Sequence, residues 1–197
     1  MEIAHYQYLL GSKSPRRQHL IKELGIEYEL VHIDIDEDYP EHLKGAEIAV
    51  FLCKLKADAF SLEPYSDNTI LITADTIVWL NGECIGKPAN KADAIAMLRK
   101  LSGETHTVYT GICLRSKNRE KVFYSETRVC FKPLTDSEID QYISHHRPFD
   151  KAGSYGIQDW IGYIGITRIE GCYYNVMGFP VQKFWEELKS FIGELKE

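Results

Sequence analysis

Apolar residues recur along the chain in two patterns, short runs and helical spacing of three and four residues, and the two patterns mix irregularly. Apolar runs bounded by turn residues predict strands at 6–10, 28–33, 69–80, 106–116, 121–132 and 163–171. Helical spacing predicts helices at 15–24, 46–60, 91–103, 138–146 and 180–195. Because strands and helices do not alternate strictly, the pattern favours an α/β fold with a mixed sheet over a Rossmann fold or a TIM barrel.

Turn and cap signals separate these elements. Asn-Gly-Glu at 81–83 predicts a tight turn, and the polar stretch 117–120 predicts a hairpin between two long strands. Thr-Asp-Ser-Glu at 135–138 is typical of a capping box that opens a helix. No repeat, low-complexity tract or linker interrupts the pattern, so residues 1–197 are predicted to form one large domain or two small lobes.

The composition is that of an ordinary globular protein with a substantial core. The chain has 197 residues, of which 44% are hydrophobic and 26% are charged. Its formal net charge of -6 argues against a broad nucleic-acid-binding face, so we expect no nucleic acid partner. An anion site on this chain therefore requires a local concentration of Lys and Arg.

The sequence also indicates in which cellular compartment the protein is located. The N-terminal stretch lacks the basic region of a secretory signal, and no apolar stretch approaches the roughly 20 residues of a membrane helix. The five cysteines are scattered without a CxxC pair, which favours reduced thiols over a disulfide framework or a zinc site. We therefore predict a cytoplasmic protein without a membrane partner.

The segment 11–17 combines the features of an anion site. A predicted strand, a turn of small residues and a helix start place free backbone N–H groups at one point. Ser12 and Ser14 add hydroxyl donors, and Arg16 and Arg17 add guanidinium forks suited to phosphate oxygens. Arginine is unfavourable at a helix N-terminus unless an anion binds there. The alternative is a pair of arginines that are solvated or paired with Asp or Glu, and the segment alone does not decide.

Two carboxylates are candidates for chemistry. Asp75 follows an apolar run, and we expect it at the end of a strand facing a cleft, as a metal ligand or as a base that activates water. Glu37 lies in an acidic loop and is the candidate second ligand, since Mg²⁺ takes one or two carboxylates together with phosphates and waters. The alternatives are a turn-capping aspartate and a solvated acidic loop.

Two lysines and a glutamine complete the candidate site. Lys56 lies in an otherwise apolar predicted helix, and Lys87 lies between Gly86 and Pro88 in a rigid loop. Gln158 follows a glycine-bearing loop, and its amide has the donor and the acceptor that reading a base edge requires. Each of the three is by itself more typical of the surface. Together with the arginines and carboxylates, they are the inventory for a nucleoside triphosphate and a metal ion.

The order and the residues of these motifs resemble those of one family, the Maf-like nucleoside triphosphate pyrophosphatases, over nearly the whole chain. The matching stretches are LLGSKSPRR at 9–17, DE at 36–37, KLKADA at 54–59, ITADTIV at 72–78, NGECIGKPANKADAIAMLRKLSGETHTVYTGICL at 81–114, PLTDSEIDQYI at 133–143, PFDKAGSYGIQ at 148–158 and RIEGCYYNVMGFPV at 168–181. The resemblance implies a two-lobed fold like that of inosine triphosphatases, with helices around an elongated mixed sheet and a central cleft. It also implies hydrolysis of a nucleoside triphosphate to the monophosphate and pyrophosphate, with Mg²⁺ or Mn²⁺.

The resemblance further assigns roles to single residues. Asp75 matches the family's proton acceptor, and Glu37 matches a pocket position that we expect to share the metal with it. The positions that match substrate-binding residues are Ser12, Arg16, Arg17, Lys56 and Lys87. Arg16, Thr76 and Gln158 match the residues that mark the branch acting on dTTP and UTP, whereas the 7-methyl-GTP branch lacks the YGIQ loop.

The sequence departs from the family pattern at a few positions. Gly11 replaces a usual alanine, and Lys13 adds a positive charge beside the phosphate site. Asp159 and Trp160 stand where small residues are common, and we expect the bulk of Trp160 near Gln158. Two other functions stay open at this point, a purine pyrophosphatase of the ITP type and a nucleotide-binding regulator of cell division without catalysis. The resemblance also implies a homodimer.

Overall fold

The computed structural model describes residues 2–195, which form a seven-stranded mixed sheet with helices on both faces. The strands are β1 (Gln7–Gly11), β2 (Tyr28–Leu30), β3 (Thr69–Leu80), β4 (Glu83–Ile85), β5 (Thr105–Arg115), β6 (Glu120–Phe131) and β7 (Ile166–Glu170). The α-helices are α1 (Pro15–Glu23), α2 (Ala46–Asp58), α3 (Lys91–Leu101), α4 (Asp136–His146), α5 (Trp160–Gly165), α6 (Tyr173–Met177) and α7 (Val181–Glu194). Short 3₁₀ helices occupy Glu2–His5 and Ala152–Ser154.

The sheet is parallel at one end and antiparallel at the other. Its strand order is β2-β1-β3-β5-β6-β7, and β4 pairs with the far end of β3. The pairs of β1 with β2 and with β3 are parallel, and all the others are antiparallel. The α/β class and the mixed sheet predicted from the sequence are therefore confirmed.

Most predicted elements are present, including the capping box. The Thr135 side chain accepts from the backbone N–H of Glu138, and the Glu138 side chain accepts from that of Thr135. The turn at 81–83 joins β3 to β4, with Asn81 and Gly82 both at positive φ. The hairpin at 117–120 joins β5 to β6.

Two predicted strands are wrong in extent. The strand predicted at 28–33 ends at Leu30: the Val31 N–H still donates to the Leu10 carbonyl at 3.1 Å, but residues 32 and 33 lie beyond the end of β1 at Gly11. The strand predicted at 163–171 begins only at Ile166, since residues 160–165 form α5. There Ile161 is buried and Ile164 packs against the same cluster, a helical spacing that a short apolar run conceals.

The central strand β3 separates three packed regions. On one face, Ile72 of its first half packs in a cluster with α1 and α7, whereas Val78 of its second half packs in another cluster with α3 and α4. On the opposite face, Leu71 and Ile77 pack against α2. Because side chains alternate along a strand, Thr76 lies on the first face at the junction between the two clusters, and Asp75 faces α2.

A close approach of α2 to the sheet fixes the surroundings of Asp75. Gly111 of β5 is paired with Asp75, and a Cβ at Gly111 would lie 2.3 Å from the carbonyl oxygen of Ala49 in α2. The Thr73 hydroxyl donates to the Cys53 carbonyl of α2 at 2.6 Å. The glycine therefore lets α2 lie directly on the sheet, about two turns before Lys56.

None of the helices described between residues 2 and 195 has the length and hydrophobicity needed to span a membrane.

Candidate active site

A cleft of about 810 Å³ opens at the edge of β3, between its pairing with β1, which ends at Thr73, and its pairing with β4, which begins at Val78. Its walls are the segment 11–17, the loop 33–37, the middle of β3, the residues 84–87 after β4, and the segment 150–158. All the site residues predicted from the sequence line it: Ser12, Arg16, Arg17, Glu37, Lys56, Asp75, Thr76, Lys87 and Gln158. Residues that are up to 146 positions apart in sequence, from Ser12 to Gln158, thus share one cavity.

Asp75 lies in the middle of β3, so the expectation that it ends a strand is wrong. The strand continues because residues 76–79 pair with β5 on one side and residues 78–80 pair with β4 on the other. Only 8% of Asp75 is exposed, and its carboxylate faces the cleft from the side of α2. A mid-strand position gives this carboxylate a rigid backbone on both sides.

A buried ammonium joins the two predicted carboxylates. Lys56 Nζ lies 2.5 Å from Asp75 Oδ1 and 2.7 Å from Glu37 Oε1, and its side chain is 13% exposed. Lys87 Nζ lies 3.6 Å from Glu37 Oε2 at the outer side of this cluster. Burial alone would raise the pKa of Glu37, but hydrogen bonds and charge from Lys56 and Lys87 hold it below its ordinary value. Glu37 therefore stays ionised near neutral pH.

The carboxylate pair meets the needs of a magnesium-type cation. Glu37 and Asp75 converge on one point, which the Lys56 ammonium now occupies. Among residues 2–195 there is no cluster of three His, Cys, Asp or Glu side chains that could hold a metal by itself. Mg²⁺ commonly takes one or two carboxylates and completes its shell with phosphates and waters. The residues present thus fit a metal that binds together with a phosphate ligand.

Arg17 is tied into the protein interior. Its Nε donates to the carbonyl of Gly178 at 2.9 Å, and Nη1 donates to the carbonyl of Ala74 at 2.8 Å and to Ser12 Oγ at 3.3 Å. Its Nη2 donates to Thr76 Oγ1 at 2.8 Å. Burial lowers the pKa of Arg17, and the Asp75 charge partly offsets this. Arg17 thus links α1 to β3 and to the end of α6, and it lies beneath the rest of the segment 11–17, called the anion segment below.

Arg16 points the other way and crosses the cleft. Its Nη1 donates to Asp150 Oδ2 at 2.7 Å, and Asp150 Oδ1 also receives a hydrogen bond from Lys151 at 2.9 Å. Burial would raise the pKa of Asp150, but these two cations lower it to about 2. The pairing of an arginine with an acid, one of the alternatives open from the sequence, is therefore present for Arg16. Its guanidinium keeps further N–H groups for a ligand.

Two hydroxyls at the cleft are already engaged with protein groups. Thr76 Oγ1 accepts from Arg17 and lies 2.9 Å from Thr110 Oγ1. Ser12 Oγ accepts from Arg17 and from the backbone N–H of Ser14, both at 3.3 Å, which leaves its hydroxyl proton for another acceptor. The Ser14 side chain itself makes no capping hydrogen bond at the start of α1.

Gln158 is poised at the far end of the cleft. Its Oε1 is buried and has no hydrogen-bond partner among the residues that the structure describes. Buried polar atoms are rarely left unpaired, so this acceptor points to a ligand group with an N–H. Trp160, which was expected to crowd this end, instead starts α5 and packs against the cluster of α3 and α4. Lys13 lines the cleft rim beside Asp34, 3.6 Å away.

Sequence reasoning missed the acidic and basic residues of the segment after α4. Asp150 holds Arg16 from 134 positions away, and Lys151 and Asp159 lie behind it at 3.8 Å from one another. Nothing in local spacing links these residues to α1, because the contact forms only when the two sides of the cleft face each other. The stretch PFDKAGSYGIQ was the only available signal, and only through its resemblance to family motifs.

The chain is similar to known proteins over nearly its whole length. The family model described as "Maf-like protein" matches residues 7–191. A protein of Parabacteroides distasonis named dTTP/UTP pyrophosphatase is 48% identical over 94% of this chain and 96% of its own length. Proteins of the same name from Phocaeicola vulgatus and Flavobacterium johnsoniae are 50% and 42% identical, over 93% and 97% of this chain and 95% and 98% of their own lengths. The match covers both sides of the cleft, and the chain belongs to the Maf-like protein family.

Proposed function

We propose that this protein is a nucleoside triphosphate pyrophosphatase that converts dTTP and UTP to the monophosphate and pyrophosphate. The observation that carries the proposal is the cluster of Lys56, Glu37 and the buried carboxylate of Asp75, which faces a cleft with further cations at its rim. The relatives named dTTP/UTP pyrophosphatase are 48% and 50% identical over 94% and 93% of this chain. A binding protein without catalysis has no need of a buried carboxylate beside the phosphate-binding cations.

The triphosphate lies along the cleft in this proposal. Its charged tail meets the segment 11–17, where the backbone N–H groups at the start of α1, Ser12 and Arg16 supply donors. Lys56 and Lys87 offset the charge from the opposite wall. Arg17 acts from beneath by holding this segment on β3. Positioning and charge stabilisation of this type supply most of the rate in phosphoryl chemistry.

Asp75 is the base in the proposed reaction. Its Oδ1 is paired with Lys56, and no side chain among residues 2–195 donates to its Oδ2, which is left to accept a proton from water. That water attacks the α-phosphorus, and pyrophosphate leaves. Glu37 and Asp75 are the residues that would hold Mg²⁺ or Mn²⁺, and such an ion, when bound, neutralises phosphate charge.

Gln158 reads the base in this proposal. Uracil and thymine present an N–H flanked by two carbonyl oxygens, so the Gln158 Oε1 accepts the N–H while its amide nitrogen donates to a carbonyl. Cytosine has the reverse pattern, an acceptor nitrogen beside an amino group, and would face Oε1 with a second acceptor. The unpaired buried Oε1 supports this assignment. Arg16 and Thr76, as the other branch-marking positions, complete the specificity set.

Further features of the resemblance are part of the proposal. We propose that residues 1–197 act as one domain of two lobes, one built on α1 and α7 and the other on α3 and α4, and that the cleft separates them. The five cysteines of the chain are free, as is usual in the cytoplasm, where we place the protein. A homodimer stays a prediction, and sedimentation equilibrium tests it.

The proposal is tested by incubating the purified protein with UTP, dTTP, CTP, GTP and ITP, each with Mg²⁺, with Mn²⁺ or with EDTA. Pyrophosphate and orthophosphate are quantified separately. We expect pyrophosphate from UTP and dTTP that EDTA abolishes. Pyrophosphate from ITP and GTP alone would keep the chemistry but overturn the base assignment. Tight binding of UTP without any product would instead favour a nucleotide-binding regulator.

A further inference from the structure

The turn that carries Gln158 rests on a buried tyrosine. Tyr142 of α4 is fully buried, and its hydroxyl accepts from the backbone N–H of Gly156 at 3.1 Å. The same hydroxyl donates to Asp159 Oδ2 at 2.8 Å. The Asp159 backbone N–H closes the turn on the Gly156 carbonyl at 3.0 Å. One phenol thus connects the start of the turn to the carboxylate at its end.

The Asp159 side chain is directed at this turn and not at the helix that it precedes. Asp159 occupies the N-cap position of α5, where an aspartate commonly accepts from the first backbone N–H groups, yet it makes no such capping bond. A Cβ at Gly156 would lie 2.5 Å from Asp159 Oδ2 and 2.9 Å from Gln158 Nε2. The carboxylate and the base-reading amide therefore pack against the same glycine.

A row of alternating charges continues from Asp159 to the anion segment. Lys151 Nζ lies 3.8 Å from Asp159 Oδ2 and donates to Asp150 Oδ1 at 2.9 Å. Asp150 Oδ2 in turn accepts from Arg16 at 2.7 Å. The side chains of Lys151 and Asp159 are only 13% and 16% exposed, so solvent screens this contact less than a surface ion pair. The row joins the base end of the cleft to its phosphate end.

We propose that Asp159 is a positioning residue for base selectivity, which holds the turn of Gln158 through Tyr142 and links it to Arg16 through Lys151 and Asp150. The inference rests on the proposed base-reading role of Gln158. Without the carboxylate, Tyr142 loses the acceptor that orients its hydroxyl, and the Gly156 peptide is no longer held in place. The Gln158 amide then samples several orientations, and the correct base loses more affinity than an incorrect one.

The test compares Asp159→Ala, Asp159→Asn and Tyr142→Phe with the wild type on UTP and CTP. We expect Asp159→Ala to lower kcat/KM for UTP about tenfold, mostly through KM, the scale of one lost hydrogen bond. CTP turnover, which does not use the oriented amide, stays within about twofold. The ratio of UTP to CTP efficiency therefore falls about tenfold. Asp159→Asn, which keeps an oxygen for Tyr142 but loses the charge toward Lys151, gives an intermediate ratio.

The coupling through Tyr142 has its own signature. Tyr142→Phe lowers the same ratio, and the double variant with Asp159→Ala shows no further loss, because both changes remove one connection. Asp140→Asn on the same helix is the matched control, since its carboxylate is exposed and pairs with Lys91 at the surface. We expect the ratio of UTP to CTP efficiency in Asp140→Asn to equal that of the wild type.

An unchanged UTP to CTP ratio in Asp159→Ala and in Tyr142→Phe overturns the proposal, even if both variants melt at lower temperature. Loss of stability alone marks a structural role. If the wild type itself releases no pyrophosphate from UTP, the proposed function fails separately, and the same ratio is then measured on equilibrium binding of UTP and CTP by calorimetry. A selectivity in binding that survives Asp159→Ala overturns the inference in that case too.

Discussion

Replacing Arg17 by lysine tests whether Arg17 stabilises the fold, in contrast to the adjacent Arg16. Arg17 is 9% exposed and donates to Ala74 O, Gly178 O, Thr76 Oγ1 and Ser12 Oγ from three different nitrogens. A lysine ammonium has one nitrogen and no fork, so it cannot reach acceptors on opposite sides of the guanidinium. The substitution keeps the positive charge and changes only the geometry of the hydrogen-bond donors.

The size of the effect follows from the bonds that are lost. If lysine keeps two of the four acceptors, two charge-assisted hydrogen bonds disappear, at about 1.5–3 kcal/mol each, for a total of about 3–6 kcal/mol. A free energy of unfolding is typically about 5–15 kcal/mol, so this is a large fraction of it. For a chain of this length the loss corresponds to a fall in Tm on the order of 10 °C or more.

Arg16→Lys is the matched control, one residue away on the same helix. Arg16 pairs with Asp150, whose side chain is 56% exposed, and such pairs contribute about 0–1 kcal/mol to stability. We therefore expect Arg16→Lys to unfold nearly as the wild type does but to raise KM for UTP. Urea titrations followed by tryptophan fluorescence give the free energies of unfolding, and steady-state kinetics give KM and kcat.

Equal stability of Arg17→Lys and Arg16→Lys, with a shared rise in KM, would refute the reasoning. That result would mean that the Arg17 guanidinium is not held by Ala74 and Gly178 in solution and that it serves the substrate directly. A large loss of stability in Arg16→Lys would refute it from the other side.

Three further predictions concern the base, a buried histidine and a close packing contact. Asp75→Asn should lower kcat by about 10²-fold or more, the scale of a general base, with pyrophosphate release as the assay, and unchanged turnover excludes that role. Burial lowers the pKa of His106 from 6.5 to about 4, so the unfolded chain binds a proton in that window that the folded chain does not, and stability falls as the pH drops through it. Between about pH 7 and about pH 4.5, this lowers the free energy of unfolding by about 2 kcal/mol. In urea titrations at several pH values, His106→Gln should remove that part of the pH dependence of the free energy of unfolding. An unchanged pH dependence in this variant contradicts the prediction. Gly111→Ala places a Cβ 2.3 Å from the carbonyl oxygen of Ala49, so α2 must shift. We expect the free energy of unfolding to fall by about 1–3 kcal/mol, and kcat to fall because Lys56 is drawn away from Asp75. A wild-type kcat would show that this contact is not needed for catalysis.

The sequence by itself determined the elements and much of the inventory of the site. Helical spacing, the capping box at 135–138 and the turn at 81–83 are local signals, and local backbone preferences do not depend on distant residues. The order of motifs was enough for the family resemblance, which assigned roles to candidates such as Asp75, Lys56 and Gln158. Where local signals compete, as in the short apolar run that became α5, sequence reasoning failed.

Only the tertiary structure decided which partner each side chain takes. Arg16 and Arg17 are equivalent in the sequence, but the first spans the cleft to Asp150 and the second is buried against β3. The close contact at Gly111 that brings Lys56 to Asp75 depends on how α2 lies on the sheet. These outcomes depend on pairings between residues far apart in the chain, whose distances are set by the packing of whole elements, and no local pattern carries that information.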